Sequence, residues 1–218
     1  MAIVGVREIV HGVLACLSPL RCAGCDGLIE RPAGFCPACA PLIEPAPRAL
    51  QPPAPDAAAH LYAGPLADAI ARLKYAARTD LCPALGQLLA EAALSYAGGV
   101  DCVVPLPLHP RRLCERGFNQ SALLGAHVAR ALGTPLRVEL LRRVRDTAAQ
   151  AGLSRELRAS NVRGAFVARP DAFVGSRPRV LLIDDVRTTG ATLAAAADAL
   201  RAAGSPEVVT LALASAAR

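Results

Sequence analysis

The sequence predicts an α/β fold, a mostly parallel sheet flanked by helices, with a small cysteine-rich module in front of it. Three observations point there. Residues 179–183 (RVLLI) form an unbroken apolar run, the pattern of a strand buried on both faces. Short runs of this kind alternate along the chain with longer stretches at helical spacing. Two C-x-x-C pairs, Cys22/Cys25 and Cys36/Cys39, stand ahead of them with ten residues between.

The chain has 218 residues, enough for one good core and a small extra module. Hydrophobic residues make up 53% but aromatic ones only 3%, so the core must be built from Ala, Leu and Val. The apolar content argues against a disordered chain. The stretch 1–20 is apolar at helical spacing (Ile3, Val6, Ile9, Val10, Val13) but is interrupted by Arg7, Glu8 and His11. It reads as an amphipathic helix rather than a signal peptide or membrane span, so membrane insertion is not expected and the cytoplasm is the expected compartment. In a reducing compartment eight cysteines point to metal more than to disulfides.

The formal net charge is +6, and its distribution says more than its total. Between Pro105 and Arg163 eleven arginines face only four acids, a local net of +7, so the rest of the chain sums to −1. Such a segment suits phosphates, on a small molecule or on nucleic acid. Lys74 is the only lysine, so the preference for Arg over Lys also fits a compositional bias. Bias does not explain the clustering.

The order of elements follows from periodicity and breakers. Residues 1–43 hold the first helix and the cysteine module. Residues 44–59 are rich in proline (Pro45, Pro47, Pro52, Pro53, Pro55) and read as a stiff linker. Residues 60–218 form the main domain. In it, 66–75 and 81–96 read as helices, the second stopped by Gly98-Gly99. Residues 101–105 (DCVVP) are a buried strand, 111–118 a basic loop, and 119–132 a helix with Asn119 as N-cap. Strands are expected at 137–142, 164–167, 179–183 and 207–214. Helices are expected at 154–160 and 189–203, the last closed by Gly204.

The sharpest signal is 180–193, VLLIDDVRTTGATL. An apolar strand ends in two acids, a Thr/Gly loop follows, and an Ala-rich helix begins. Ligands of open α/β sheets sit beyond the carboxyl ends of strands. A loop entering a helix N-terminus offers backbone N–H groups and the positive end of the dipole to a phosphate. Gly190 allows positive φ or a close backbone approach. Thr188, Thr189 and Thr192 add hydroxyls, and Asp184 and Asp185 can hold sugar hydroxyls or stand near Mg²⁺. No G-K-[ST] follows and no G-x-G-x-x-G is present, which excludes a P-loop and a Rossmann fingerprint.

This loop resembles the phosphoribosyl pyrophosphate (PRPP) motif of type I phosphoribosyltransferases. The resemblance implies Asp184 and Asp185 toward the ribose hydroxyls as the catalytic pair. It also implies Arg187, Thr188, Thr189, Gly190, Ala191 and Thr192 around the 5′-phosphate. Ala191 stands where many salvage enzymes have Gly or Ser, a change that leaves the backbone donors in place.

The segment VPLPLHPRRLCERGFNQ (104–120) follows a strand, so its loop also opens at the carboxyl edge of the sheet. Arg111, Arg112 and Arg116 are planar donors suited to pyrophosphate, or to a solvated basic loop. His109, between prolines, reads as structural. The block 145–161 contains Arg145, Thr147, Gln150, Leu153, Arg155, Arg158 and Asn161. At this point in the chain order the resemblance implies a mobile loop that covers the sugar, with Arg145 and Arg155 meeting the leaving pyrophosphate. Taken in order with Leu73-Lys74-Tyr75, the set is similar to the ComF (ComFC-type) family over about residues 20–214. Ala76-Ala77 stands where that resemblance implies a glycine. It further implies a place in natural competence and DNA uptake, with single-stranded DNA and uptake proteins as partners. As an enzyme the protein would transfer phosphoribose and release pyrophosphate from PRPP with Mg²⁺. As a binding protein it would use the same loop to sense a nucleotide or hold DNA. The acceptor base would be chosen by a hood over residues 60–98.

Two C-x-x-C knuckles place four thiolates in reach of one tetrahedral Zn²⁺, and all four positions are filled by Cys22, Cys25, Cys36 and Cys39, so the zinc would be structural. The region is too poor in apolar residues to fold without a staple. Disulfides or a redox pair are the other reading of the same spacing. Cys16, Cys82, Cys102 and Cys114 have no partner spacing.

Overall fold

The structure is a computed structural model that describes residues 20–29, 34–146, 162–169, 173 and 177–216. The expected helices over 1–20 and 154–160, and Arg155 with most of its block, lie outside the described residues.

Four strands make one parallel sheet: β1 (Asp56–Leu61), β2 (Cys102–Pro105), β5 (Val180–Arg187) and β6 (Val208–Ser215), in the order β1-β6-β5-β2. Side-chain alternation along β5 divides the core into two layers. Leu181 and Ile183 face α1 (Gly64–Tyr75), α2 (Cys82–Ala93) and α4 (Gln120–Leu132). Val180 and Leu182 face α5 (Ala191–Ala202) and a hairpin of β3 (Leu141–Arg143) with β4 (Phe166–Ala168). A sheet buried on both faces is what the continuous apolar runs require.

The helices follow their apolar stripes. Helix α1 buries Leu66, Ala69, Ile70 and Leu73, the i, i+3, i+4, i+7 pattern, and starts with Pro65 in its first turn. Asn119 caps α4, accepting from the Ser121 amide at 3.0 Å, and Gly133 closes it at φ +65°.

Three expectations are corrected. Residues 111–118 are not a loop: α3 (Pro110–Arg116) forms there, because Pro110 fixes the first turn and Gly117 at φ +80° ends it. The proline-rich run is not a linker throughout. Its last residues enter β1, where Ala57, Ala58 and Ala59 are buried against β6. Alanines between prolines carry no strand signal, so only tertiary pairing made this strand. The expected strands at 137–142 and 164–167 shrink to β3 and β4, which pair antiparallel with each other instead of extending the sheet. The cysteine region packs into the main core, with Cys22, Ala23, Phe35 and Cys39 in the same apolar cluster as α1 and α2.

Helices α2 and α4 meet closely at Gly86. A Cβ there would fall 2.4 Å from Cδ2 and 2.5 Å from Cγ of His127. Helix propensity alone favours alanine by about 1 kcal/mol, whereas overpacking costs about 1–3 kcal/mol. Because the clash falls near the root of His127 rather than at a flexible tip, packing wins: Gly86→Ala lowers stability in urea denaturation, where propensity alone would raise it.

Candidate active site

The acid pair lies within β5, which runs on through Val186 to Arg187 rather than ending at Ile183, because both residues pair with β6. Asp184 and Asp185 are 8% and 2% exposed, so each carboxylate needs partners. Asp184 Oδ1 accepts from Ser121 Oγ at 3.0 Å and from the Asp185 amide at 2.9 Å. Asp185 Oδ1 accepts from the Val186 amide at 2.7 Å, and its Oδ2 lies 2.8 Å from Lys74 Nζ. Burial, with the neighbouring Asp185 charge, pushes the Asp184 carboxyl up to about 7, while Lys74 opposes the rise. Burial also works against the Lys74 charge, but Asp185 outweighs it and holds the ammonium above the ordinary lysine range.

After the acids the chain turns through 188–192 into α5, with Gly190 as N-cap at φ +80°. The first amides of a helix lack intrahelical acceptors and suit an anion. Beneath the loop, Arg187 is held by Asp56: Nε lies 3.1 Å from both carboxylate oxygens and Nη2 lies 2.5 Å from Oδ2. Thr210 Oγ1 donates to the same carboxylate at 2.9 Å. A Cβ on Gly190 would come within 3.1 Å of Arg187 Nη2, so this position needs glycine for space as well as for φ.

A cleft of about 460 Å³ opens over these groups. Of the residues expected from sequence, Lys74, Arg112, Arg116, Asp184 and Asp185 line it, as do Arg187, Thr188, Gly190 and Thr192. Thr189 and Ala191 belong to the same loop, the Ala191 amide lying 3.4 Å from Thr189 Oγ1. Arg111 is turned outward, 77% exposed and 3.6 Å from Asp146, and Arg145 donates to the Arg163 carbonyl at 2.5 Å; neither lines the cleft. Ser121, Gln120, Arg143 and Tyr62 line it without having been anticipated. Gln120 accepts from Arg116 Nη1 at 2.6 Å, and Arg143 lies 5.5 Å from the Phe166 ring centre. Ser121 was within reach of sequence reasoning, two residues past the Asn119 cap. Asp56 was not, since 131 residues separate it from Arg187. With five cations and two acids on its wall, the cleft suits a polyanion that also carries hydroxyls.

The four cysteine sulfurs lie within 4.8 Å of one another, with Cys25 and Cys36 Sγ 3.8 Å apart. Tetrahedral Zn–S bonds of about 2.3 Å place sulfurs about 3.8 Å apart, so the donor set fits such an ion. Burial opposes ionisation of Cys22, yet amide contacts from Cys25, Cys36 and Gly24 outweigh it and bring the thiol down to about 6. Burial and the neighbouring thiols push Cys39 up to about 12. No helix among the described residues is long and apolar enough to cross a membrane.

A parallel sheet flanked by helices, an acid pair within an inner strand and a Thr/Gly loop opening a helix define an α/β protein with a ligand-type loop at the carboxyl edge of its sheet. No family model matches the chain. It is 34% identical over 199 residues to DNA utilization protein YhgH of Salmonella typhimurium, covering 86% of each chain. It is 38% identical over 152 residues to YhgH of Escherichia coli K12, covering 67% of this chain and 66% of that one. It is 36% identical over 108 residues to competence protein F of Haemophilus influenzae, covering 50% and 47%. The chain belongs to this ComF/YhgH family. Among solved structures, it is similar at TM-score 0.45 and 24% identity to glutamine PRPP amidotransferase of Bacillus subtilis, over 65% of this chain and 30% of that one. Adenine phosphoribosyltransferase of Leishmania tarentolae follows at TM-score 0.36 and 18% identity, over 62% and 71%.

Removing one partner of a buried ion pair costs about 3–5 kcal/mol, because the other charge is left unpaired. Lys74→Met is therefore expected to lower the unfolding free energy by a few kcal/mol. Adding Asp185→Asn should restore part of the loss, as a double-mutant cycle in urea would read.

Proposed function

We propose that the cleft binds PRPP with Mg²⁺ and that the protein is a cytoplasmic phosphoribosyltransferase acting in the use of imported DNA. The observation that carries this reading is the juxtaposition of Asp184 and Asp185 with loop 188–192 at the mouth of a cationic cleft. In this reading the amides and hydroxyls of the loop take the 5′-phosphate. The acids face the ribose, and Arg112, Arg116 and Arg143 face the pyrophosphate. Bound Mg²⁺ would neutralise part of the charge on the departing pyrophosphate. No side chain needs to attack: a nucleophile displaces pyrophosphate at the anomeric carbon, and the chain contributes position and field. Lys74 holds Asp185 in place, and Ser121 holds Asp184. The names of the relatives support the link to DNA utilization and competence.

A second reading, a nucleotide- or DNA-binding protein without transferase activity, is favoured by the exposed arginines Arg111, Arg142, Arg145 and Arg163 on the same basic segment that gives Arg112, Arg116 and Arg143 to the cleft. Single-stranded DNA would run over them with a steep salt dependence, and uptake proteins would be the partners. The four cysteines are assigned in both readings to one structural Zn²⁺.

Calorimetric titration is expected to show PRPP binding in the presence of Mg²⁺, weakened at least about tenfold in Asp184→Asn/Asp185→Asn, a loss of about 1.4 kcal/mol or more. Absence of binding by the wild type would remove the PRPP reading. Binding without pyrophosphate release over a panel of bases would favour the second. Elemental analysis of the purified protein should find about one zinc per chain, and stripping it with a chelator should lower the melting temperature.

A further inference from the structure

Helix α1 touches both the cysteine cluster and the cleft within a single turn. Arg72 Nη2 donates to the carbonyls of Ala23 and Gly24, the second at 2.5 Å, and Nη1 lies 3.7 Å from Asp26. Two residues on, Lys74 Nζ lies 2.8 Å from Asp185. Just past the helix, Arg78 Nη2 donates to Asp26 at 2.9 Å and, with Nε, holds Asp80. The start of the helix is fixed to the same knuckle: a Cβ on Gly24 would fall 2.7 Å from Pro65 Cβ and 2.9 Å from Cys39 Sγ.

Ala23 and Gly24 are the two residues between Cys22 and Cys25. Whatever holds those sulfurs also aims the carbonyls that Arg72 reads. Both side chains are largely covered, Arg72 at 25% exposure and Lys74 at 17%, so solvent screens neither contact fully. Between knuckle and helix the packing is continuous, since Cys22, Ala23, Cys39, Leu66, Ile70 and Leu73 share one apolar cluster. A shift of the knuckle therefore moves the end of α1 rather than being absorbed in a void.

We propose that Arg72 is a positioning residue that passes the order of the cysteine knuckle to Lys74, so that a metal on the four sulfurs and an anion in the cleft tighten each other's binding. The proposal rests on the PRPP reading above. Coupling of this kind is reciprocal: if metal strengthens ligand binding, ligand must strengthen metal binding by the same factor. A knuckle that only stabilises the fold predicts no such reciprocity once the chain is folded.

The test uses the full metal-loaded chain. Metal affinity is read at equilibrium by competition with a chelating dye, with and without saturating PRPP and Mg²⁺, and PRPP affinity is titrated in parallel. Metal in the wild type is expected to bind at least about fivefold more tightly with PRPP. In Arg72→Met that gain should vanish and PRPP should bind about fivefold more weakly. Arg72→Lys should recover part of both, and far-UV dichroism checks that each variant is folded. Adding Arg72→Met to Lys74→Met should weaken PRPP binding no further. Metal affinity of the wild type that ignores bound PRPP overturns the coupling while leaving the ligand reading intact. Failure of the folded wild type to bind PRPP overturns both.

Discussion

Two adjacent carboxylates, each less than a tenth exposed, stand in the carboxyl half of an inner strand, and neither can stay charged there alone. Much of the structure is arranged around that requirement. Ser121 reaches Asp184 from the first turn of α4, which exists at that place because Asn119 caps it. Lys74 reaches Asp185 from the last turn of α1. Three elements far apart in sequence thus converge on one point, and the apolar stripes of α1, α4 and β5 hold them there. The compensation is incomplete by design of the chemistry: Asp184 remains raised to about 7, and the arginines on the cleft wall are still there to meet a bound anion.

The support under loop 188–192 follows the same logic. Arg187, the last residue of β5, points down to Asp56 on β1, and that pair fills the space Gly190 leaves by lacking a Cβ. The loop thus rests in part on a charged pair. The cysteine knuckle presses on Pro65 at the start of α1 and is held by Arg72 and Arg78 at its end. It is one body with the sheet domain, since its buried residues complete the cluster that α1 and α2 begin.

The parts legible in the sequence were those with local causes. The continuous apolar run before Asp184 marked β5, the stripe Leu66, Ile70, Leu73 marked α1, and Asn119 marked the start of α4. The paired C-x-x-C spacing foretold the four-sulfur cluster. Of Ala76-Ala77, where the family resemblance implied a glycine, Ala77 sits in the left-handed region at φ +50°, a conformation that favours glycine. Most of what sequence missed had no local cause. β1 is a run of alanines that becomes a strand only because β6 offers an edge. The Asp56–Arg187 pair and the approach of Ser121 to Asp184 depend on strand register and helix placement. Helix α3 was hidden by its prolines and arginines, whose loop-like composition outweighed the stop signal of Gly117.

The central claim is that the amides and hydroxyls of 188–192 and the carboxylates of Asp184 and Asp185 address one molecule, its phosphate on the former and its sugar on the latter. A crystal structure of the protein soaked with ribose 5-phosphate tests it directly. The account predicts the phosphate seated on loop 188–192 at the N-terminus of α5, with the ribose hydroxyls turned toward the two carboxylates. A phosphate bound among the exposed arginines instead, with the loop empty at saturating ligand, would contradict it.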